Sequence, residues 1–263
     1  MKKIIYGIPD KPDLGDTLLL TPLFKHNPGT MEFNRTARGA QISELFRGLC
    51  DIKFVDKVKS EIEYFTEYGD INKRDVPSLT HACKHYAKIF GVETDDFIPY
   101  IHLFDQDKLF ADKFVEGLRD PITIAPVAGG FGMGNDNLMM TKMLSIDHWN
   151  ELTAHISKHH DILYFSSSSK NFPINNVINM SDLTVREMCA IMNRCKKNIS
   201  IENGILHAAV ASGAKVFALV SGFGWNPCNY FPNYGYTDDM WNKEEKRVFY
   251  FTLPHYKKIL DYF

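Results

Sequence analysis

Cysteine is scarce in this chain and scattered. The five residues Cys50, Cys83, Cys189, Cys195 and Cys228 are odd in number, and none forms a C-x-x-C pair. This argues against a disulfide framework or a zinc site and fits free thiols in a reducing compartment. Positive charge is not in excess either: 30 Lys+Arg stand against 32 Asp+Glu, net −2. Residues 1–120 hold 17 basic and 20 acidic residues and residues 121–263 hold 13 and 12. Neither half is therefore a basic module with a general attraction for nucleic acid or anionic membrane. No apolar run approaches the ~20 residues that cross a bilayer. The start, MKKIIYGIPD, has only a short apolar stretch before Pro9 and Asp10, and it reads as a first β-strand rather than a signal peptide. A cytoplasmic protein is expected. Repeats and low-complexity tracts are absent.

What is present is an ordinary globular composition, 44% hydrophobic and 24% charged, in a chain long enough for two small α/β domains with real cores. Apolar strands over 3–8, 31–34, 51–55 and 97–101 alternate with helical patterns over 37–49, 78–90 and 105–118. Asp16 opens a further amphipathic segment, TLLLTPLFKH. Asp120-Pro121 marks a boundary. Beyond it, a strand over 122–128 runs into a glycine-rich loop over 129–134, and strands over 161–165, 176–179, 198–201, 215–220 and 247–251 alternate with helices over 146–158, 183–194 and 204–211. Strand and helix in alternation imply βαβ units and parallel sheets. The fold class expected is α/β with two Rossmann-like parallel-sheet domains. Residues 1–120 form the first and 121–240 the second, and residues 241–263 form a terminal segment and helix that packs back on the first half.

Three stretches carry the candidate chemistry. In Ser200–Gly222 a strand ends at Glu202, and Asn203-Gly204 turn into a helix bearing His207. A helix that starts at the carboxyl end of a parallel strand offers free N–H groups and a positive dipole end to a diphosphate. An ordinary strand–turn–helix with Asn203 as N-cap explains the same residues. In Lys142–Leu152 a lysine precedes a helix, where its ammonium meets phosphate oxygens or simply water; Trp149 and Leu152 fit a core face. In Asp13–Lys25, Gly15 and Asp16 stand at the mouth of the first strand. Asp16 is a candidate general base, a helix N-cap, or both.

Taken in order, these stretches resemble glycosyltransferase family 9, the ADP-heptose:lipopolysaccharide heptosyltransferases. The resemblance rests on Gly15-Asp16 and Thr21-Pro22, on Lys142 followed by His148-Trp149-Asn150-Glu151-Leu152, and on Glu202-Asn203-Gly204-Ile205-Leu206-His207 followed by Ala208-Ala209 and Gly222. It covers the last half well and residues 30–120 thinly. It implies a GT-B fold, with two Rossmann-like domains facing a cleft and the N-terminal one trimmed. The implied reaction is inverting and metal-independent, with a nucleotide-diphosphate sugar as co-substrate and no cofactor. The roles it implies are Asp16 as base on the acceptor hydroxyl, and Lys142, Glu202, Asn203, Gly204 and His207 at the donor, with Lys142 and Gly204 on its phosphates. Leu183 would pack on the nucleotide base and Ser167, within Ser166–Ser169, would lie near the nucleoside. Glu202 stands where the family carries aspartate, Asn203 where it carries Ser/Thr, and Leu144-Ser145 where it carries Trp-Pro.

Because the first half selects the acceptor, three readings stand side by side. One is transfer to a surface glycan or lipid-linked saccharide. Another is transfer to hydroxymethylated bases of DNA, for which Arg35, Arg38, Arg47, Lys53, Lys57 and Lys59 would have to gather on one face. The third is a GT-B-like nucleotide-binding protein without transfer. Other features read as structure: Asp105-Gln106-Asp107 as a helix cap, and His81 and His85, four apart but lacking the H-E-x-x-H glutamate, as surface residues.

Overall fold

The computed structural model describes residues 5–8, 14–26, 29–58, 87, 91–96, 98–127, 143–165, 172–201, 203–220 and 248–263. Two parallel sheets organise them. The first has the order β1 (Ile5–Ile8), β2 (Thr30–Asn34), β3 (Asp51–Val55). The second contains β4 (Ile122–Ala125), β5 (Ile162–Phe165), β6 (Ile178–Met180), β7 (Lys197–Ile201), β8 (Lys215–Val220) and β9 (Val248–Thr252). Its spatial order is β6-β5-β4-β7-β8-β9, parallel throughout. That is the doubly wound arrangement in which the chain starts in the middle, builds outward one way, then returns to build the other way. The order reverses between β4 and β7, and in sheets of this kind ligands bind in the crevice outside the carboxyl ends of the strands at that point.

Seven α-helices are described: α1 (Leu14–Leu18), α2 (Thr21–His26), α3 (Ala37–Ser43), α4 (Asp105–Val115), α5 (Ile146–Ile156), α6 (Val185–Cys195) and α7 (Gly204–Ser212). Their starts follow cap chemistry. Thr36 accepts from Gly39 N, Ser145 from His148 N, and Thr184 from Glu187 N while Glu187 answers to the Thr184 amide; each satisfies amides that the first turn leaves orphaned. The segment that the sequence suggests as one helix from Asp16 is two. Helix α1 begins at Leu14, so Asp16 lies inside it and is not its N-cap, and the chain breaks before Pro22. Proline lacks an N–H and its ring crowds the carbonyl four residues back. Thr21 seals the break, donating from Oγ1 to Leu18 O (2.7 Å) and accepting from Tyr100 N (2.8 Å).

Alternation along the second sheet sends side chains to two cores. Val216, Ala218 and Val220 face α6, α7 and the first half, while Phe217 and Leu219 face α5 and the C-terminal segment. The first of these cores is continuous across both sheets: Leu18, Leu23, Met31, Phe33 and Phe46 join Cys189, Ile191, Leu206 and Val210 in one buried cluster.

Two expectations are corrected. Residues 98–101 join no sheet, because their amides are used elsewhere: Ile98 N donates to Asp96 Oδ1, Tyr100 N to Thr21 Oγ1 and Ile101 N to Ala211 O. Among the described residues the C-terminal segment packs on the second sheet, not on the first half. Strand β9 pairs with β8, and the 3₁₀ stretch Leu253–Tyr262 seats Tyr262 and Phe263 on Phe217, with ring centroids 5.3 and 5.0 Å away. The aromatic payload of β8 and β9 is what holds it there.

Candidate functional site

Below the carboxyl ends of β4 and β7, a polar contact inside the sheet joins the two strands. Asn198 Nδ2 donates to Thr123 Oγ1 (2.9 Å), and both side chains are buried. At the carboxyl end, the single hydroxyl hydrogen of Ser200 has Ile201 O (2.8 Å) and Asn203 Oδ1 (3.1 Å) within reach of Oγ. Asn203 is extended (φ −154°, ψ 177°) and caps α7, its Oδ1 accepting from Ile205 N and Leu206 N at 3.0 Å each. Its Nδ2 donates to Ala125 O (3.3 Å) and Val127 O (3.0 Å).

Helix α7 leaves this point with a buried, small-residue body of Ala208, Ala209, Val210 and Ala211, which lets it lie between the second sheet and the first half. Its first turn meets α1 backbone to backbone. A Cβ placed on Gly204 would stand 3.0 Å from Leu14 Cβ and 3.1 Å from Gly15 N. A Cβ on Gly15 would stand 2.8 Å from His207 Cδ2 and 3.3 Å from Gly204 Cα. His207, 6% exposed, therefore lies against Gly15. Thus the structure brings together Gly15, Gly204, His207 and Asn203, and the backbone of Asp16, one residue after Gly15, is carried to the positive end of α7. Leu183, half-buried, precedes α6 at the carboxyl edge of the same sheet. Lys142, Ser167 and Glu202 lie outside the described residues, as do the glycine-rich run 129–134, His81, His85 and the aromatic residues between 225 and 241.

A second arrangement fastens the two halves together. Arg186, in the first turn of α6 and 5% exposed, donates to Glu44 O (2.9 Å), His102 O (2.7 Å) and Asp107 Oδ2 (2.5 Å). Its guanidinium lies 4.8 Å from the Phe104 ring centroid. Asp107 also accepts from Phe104 N at 2.8 Å. It thus caps α4 and pairs with Arg186, which accounts for the D-x-D. Sequence reasoning passed over Arg186. The signal available was an arginine on the same helical face as Cys189 and Ala190, where the pattern otherwise calls for core.

A cavity of about 610 Å³ lies at the far end of α7, lined by Lys25, Asp96, Tyr100, His102 and Gly213 among others. It is not the crevice at the α7 N-terminus. Among the described residues no group of three or more His, Cys, Asp or Glu side chains is placed to hold a metal ion, and no helix is long and apolar enough to cross a membrane.

No family model matches the chain, and no curated protein sequence matches it. Solved structures do. A glycosyl transferase family 9 protein from Veillonella parvula superposes with a TM-score of 0.64 at 11% identity, covering 98% of this chain and 88% of that one. The ADP-heptose LPS heptosyltransferase II of E. coli gives 0.63 at 11%, covering 94% and 90%. The dodecameric iron-containing heptosyltransferase TibC, in complex with ADP-D-beta-D-heptose, gives 0.55 at 15%, covering 83% of this chain and 58% of its own. With its parallel sheets and its strand order, the chain has the GT-B-type fold of the family 9 glycosyltransferases.

Proposed function

We propose that the protein is a glycosyltransferase that moves a sugar from a nucleotide-diphosphate donor to an acceptor hydroxyl, inverting the anomeric centre without a metal. The observation that carries this is the contact of Gly15 with Gly204 and His207. It sets the Gly15-Asp16 segment against the N-terminus of α7, at the switch point where nucleotides bind in doubly wound sheets.

The chemistry follows from that juxtaposition. A departing diphosphate gathers negative charge. The partial positive charge at the α7 N-terminus and the amide of Gly204 stabilise it, and Lys142 adds a full charge from the segment before α5. Asp16 takes the proton from the acceptor hydroxyl as it attacks the anomeric carbon from the opposite face. His207, Glu202, Ser167 and Leu183 complete the donor site, with Leu183 against the base. On this reading, residues 121–240 hold the donor and residues 1–120 the acceptor, a surface glycan or lipid-linked saccharide. The likeness to a structure solved with ADP-D-beta-D-heptose makes adenosine diphosphate sugars the first donors to try.

The test is a thermal-shift screen against nucleoside diphosphates and nucleotide sugars, since a ligand that binds only the folded state raises the melting temperature. A shift with one nucleotide, lost in Lys142→Ala, is expected. Asp16→Asn should retain that shift and lose transfer. No shift with any nucleotide, or full transfer by Asp16→Asn, would remove the reading.

A further inference from the structure

Asn203 uses every hydrogen-bonding position of its amide inside the protein. The orientation of the amide follows from its partners: two backbone N–H groups and a hydroxyl on one side, two carbonyls on the other. The oxygen holds the first turn of α7 and the Ser200 hydroxyl. The two amide hydrogens reach Ala125 O and Val127 O, at the end of β4 and just beyond it. Strands β4 and β7 are the neighbours where the strand order reverses. These two bonds therefore span the mouth of the crevice.

We infer that Asn203 is a positioning residue that ties the two walls of the nucleotide crevice together and does not touch the ligand; this rests on the donor-site reading above. A serine or threonine, which the family 9 pattern carries at this place, cannot do the same. A hydroxyl can cap the helix, but it has one hydrogen, so it cannot serve two carbonyls, and its reach is an atom shorter. The tie also decides which amides face a phosphate. Ile205 and Leu206 N–H are already held by Asn203, so the helix meets its ligand through the dipole and through Gly204 N–H, the first amide that Asn203 does not claim.

Asn203→Ser keeps the cap and removes both donations to the β4 end. Two quantities are measured on the full chain. One is the affinity for ADP, UDP, GDP, CDP and dTDP by calorimetry. The other is amide hydrogen exchange across 122–127 and 205–206. The expected result is at least a tenfold loss of affinity for the nucleotide that the wild type binds, with the melting temperature almost unchanged. Exchange should be faster at 122–127 and protection kept at 205–206. Asn203→Ala, which also loses the cap, should lose melting temperature as well. Exchange at 122–127 unchanged in Asn203→Ser overturns the tie. Affinity unchanged or improved, as direct contact through a hydroxyl would give, overturns the positioning role. If the wild type binds none of the five, the donor-site reading fails and the positioning role fails with it, while the exchange arm alone still decides whether the tie exists.

Discussion

Gly15 and Gly204 face each other with no room for a methyl group between them. A Cβ on either would come within 3.3 Å of the other's backbone, and one on Gly15 would press to 2.8 Å on the His207 ring. Gly15→Ala must therefore push α1 from α7 or displace a nearly buried histidine. Overpacking of this kind costs about 1–3 kcal/mol. Denaturant unfolding should show that loss, and transfer should fall further than stability, because the displaced residue is next to Asp16. A variant as stable and active as the wild type would mean that the contact is slack.

Arg186 joins the first half, the 102–107 connection and α6 through one guanidinium. Asp107, with a side chain only 11% exposed, depends on it for charge balance. Arg186→Ala strands a nearly buried carboxylate and two carbonyls, and breaking such a pair costs about 3–5 kcal/mol. Urea midpoints measure it directly. Arg186→Lys should recover only part, since an ammonium has three donors on one nitrogen and lacks the planar fork whose two nitrogens reach Glu44 O on one side and His102 O and Asp107 on the other. A loss below about 1 kcal/mol for Arg186→Ala would show that the site relaxes around the gap.

Burial pushes the thiols of Cys50, Cys189 and Cys195 up to about 12. The thiolate is the reactive form, so at pH 8 these sites present very little of it. Alkylation of the native protein at pH 8, read by peptide mass mapping, should leave these three unmodified, while the denatured protein reacts fully. Rapid native labelling of Cys189 would contradict its burial between α6 and α7.

The C-terminal segment is fastened to α5 through Glu151, which accepts from Tyr256 Oη and pairs with Lys257 Nζ, each at 2.5 Å. The hydrogen bonds from Lys257 and then Tyr256 hold the Glu151 carboxyl below its ordinary 4.5. Its contribution is therefore full above that value and lost as pH falls through the lower folded one. The same carboxylate raises Lys257 above 10.5, so that contribution is full below 10.5 and lost as pH rises through the higher folded value. Melting temperatures of the wild type and Glu151→Gln should differ by a constant amount between about pH 5 and 10 and converge beyond both ends. Parallel curves down to pH 3 would show that the ion pair does not act.

The elements most legible in the sequence were those with a local cause. Strands β3 and β8 follow the apolar runs at 51–55 and 215–220 to the residue. The N-cap role of Asn203 is readable because a cap needs only the next three residues. The misread elements failed where a distant partner intervened. Residues 98–101 look like a strand but give their amides to Thr21 and Ala211. The aromatics of the C-terminal segment are equally compatible with either sheet until β9 pairs with β8.

Within the candidate site the division is the same. Local periodicity and cap chemistry determine that a helix begins at Gly204 after a strand, and that an aspartate follows Gly15 near the first strand. Only the tertiary structure decides that Asn203 reaches Val127, 76 residues away, that Gly15 touches Gly204, and that Arg186 is a buried clamp. These contacts join segments far apart in the chain, and strand order and the packing of helices between two sheets bring them together. An asparagine amide or a glycine looks the same in sequence whether it faces water, a ligand or another backbone.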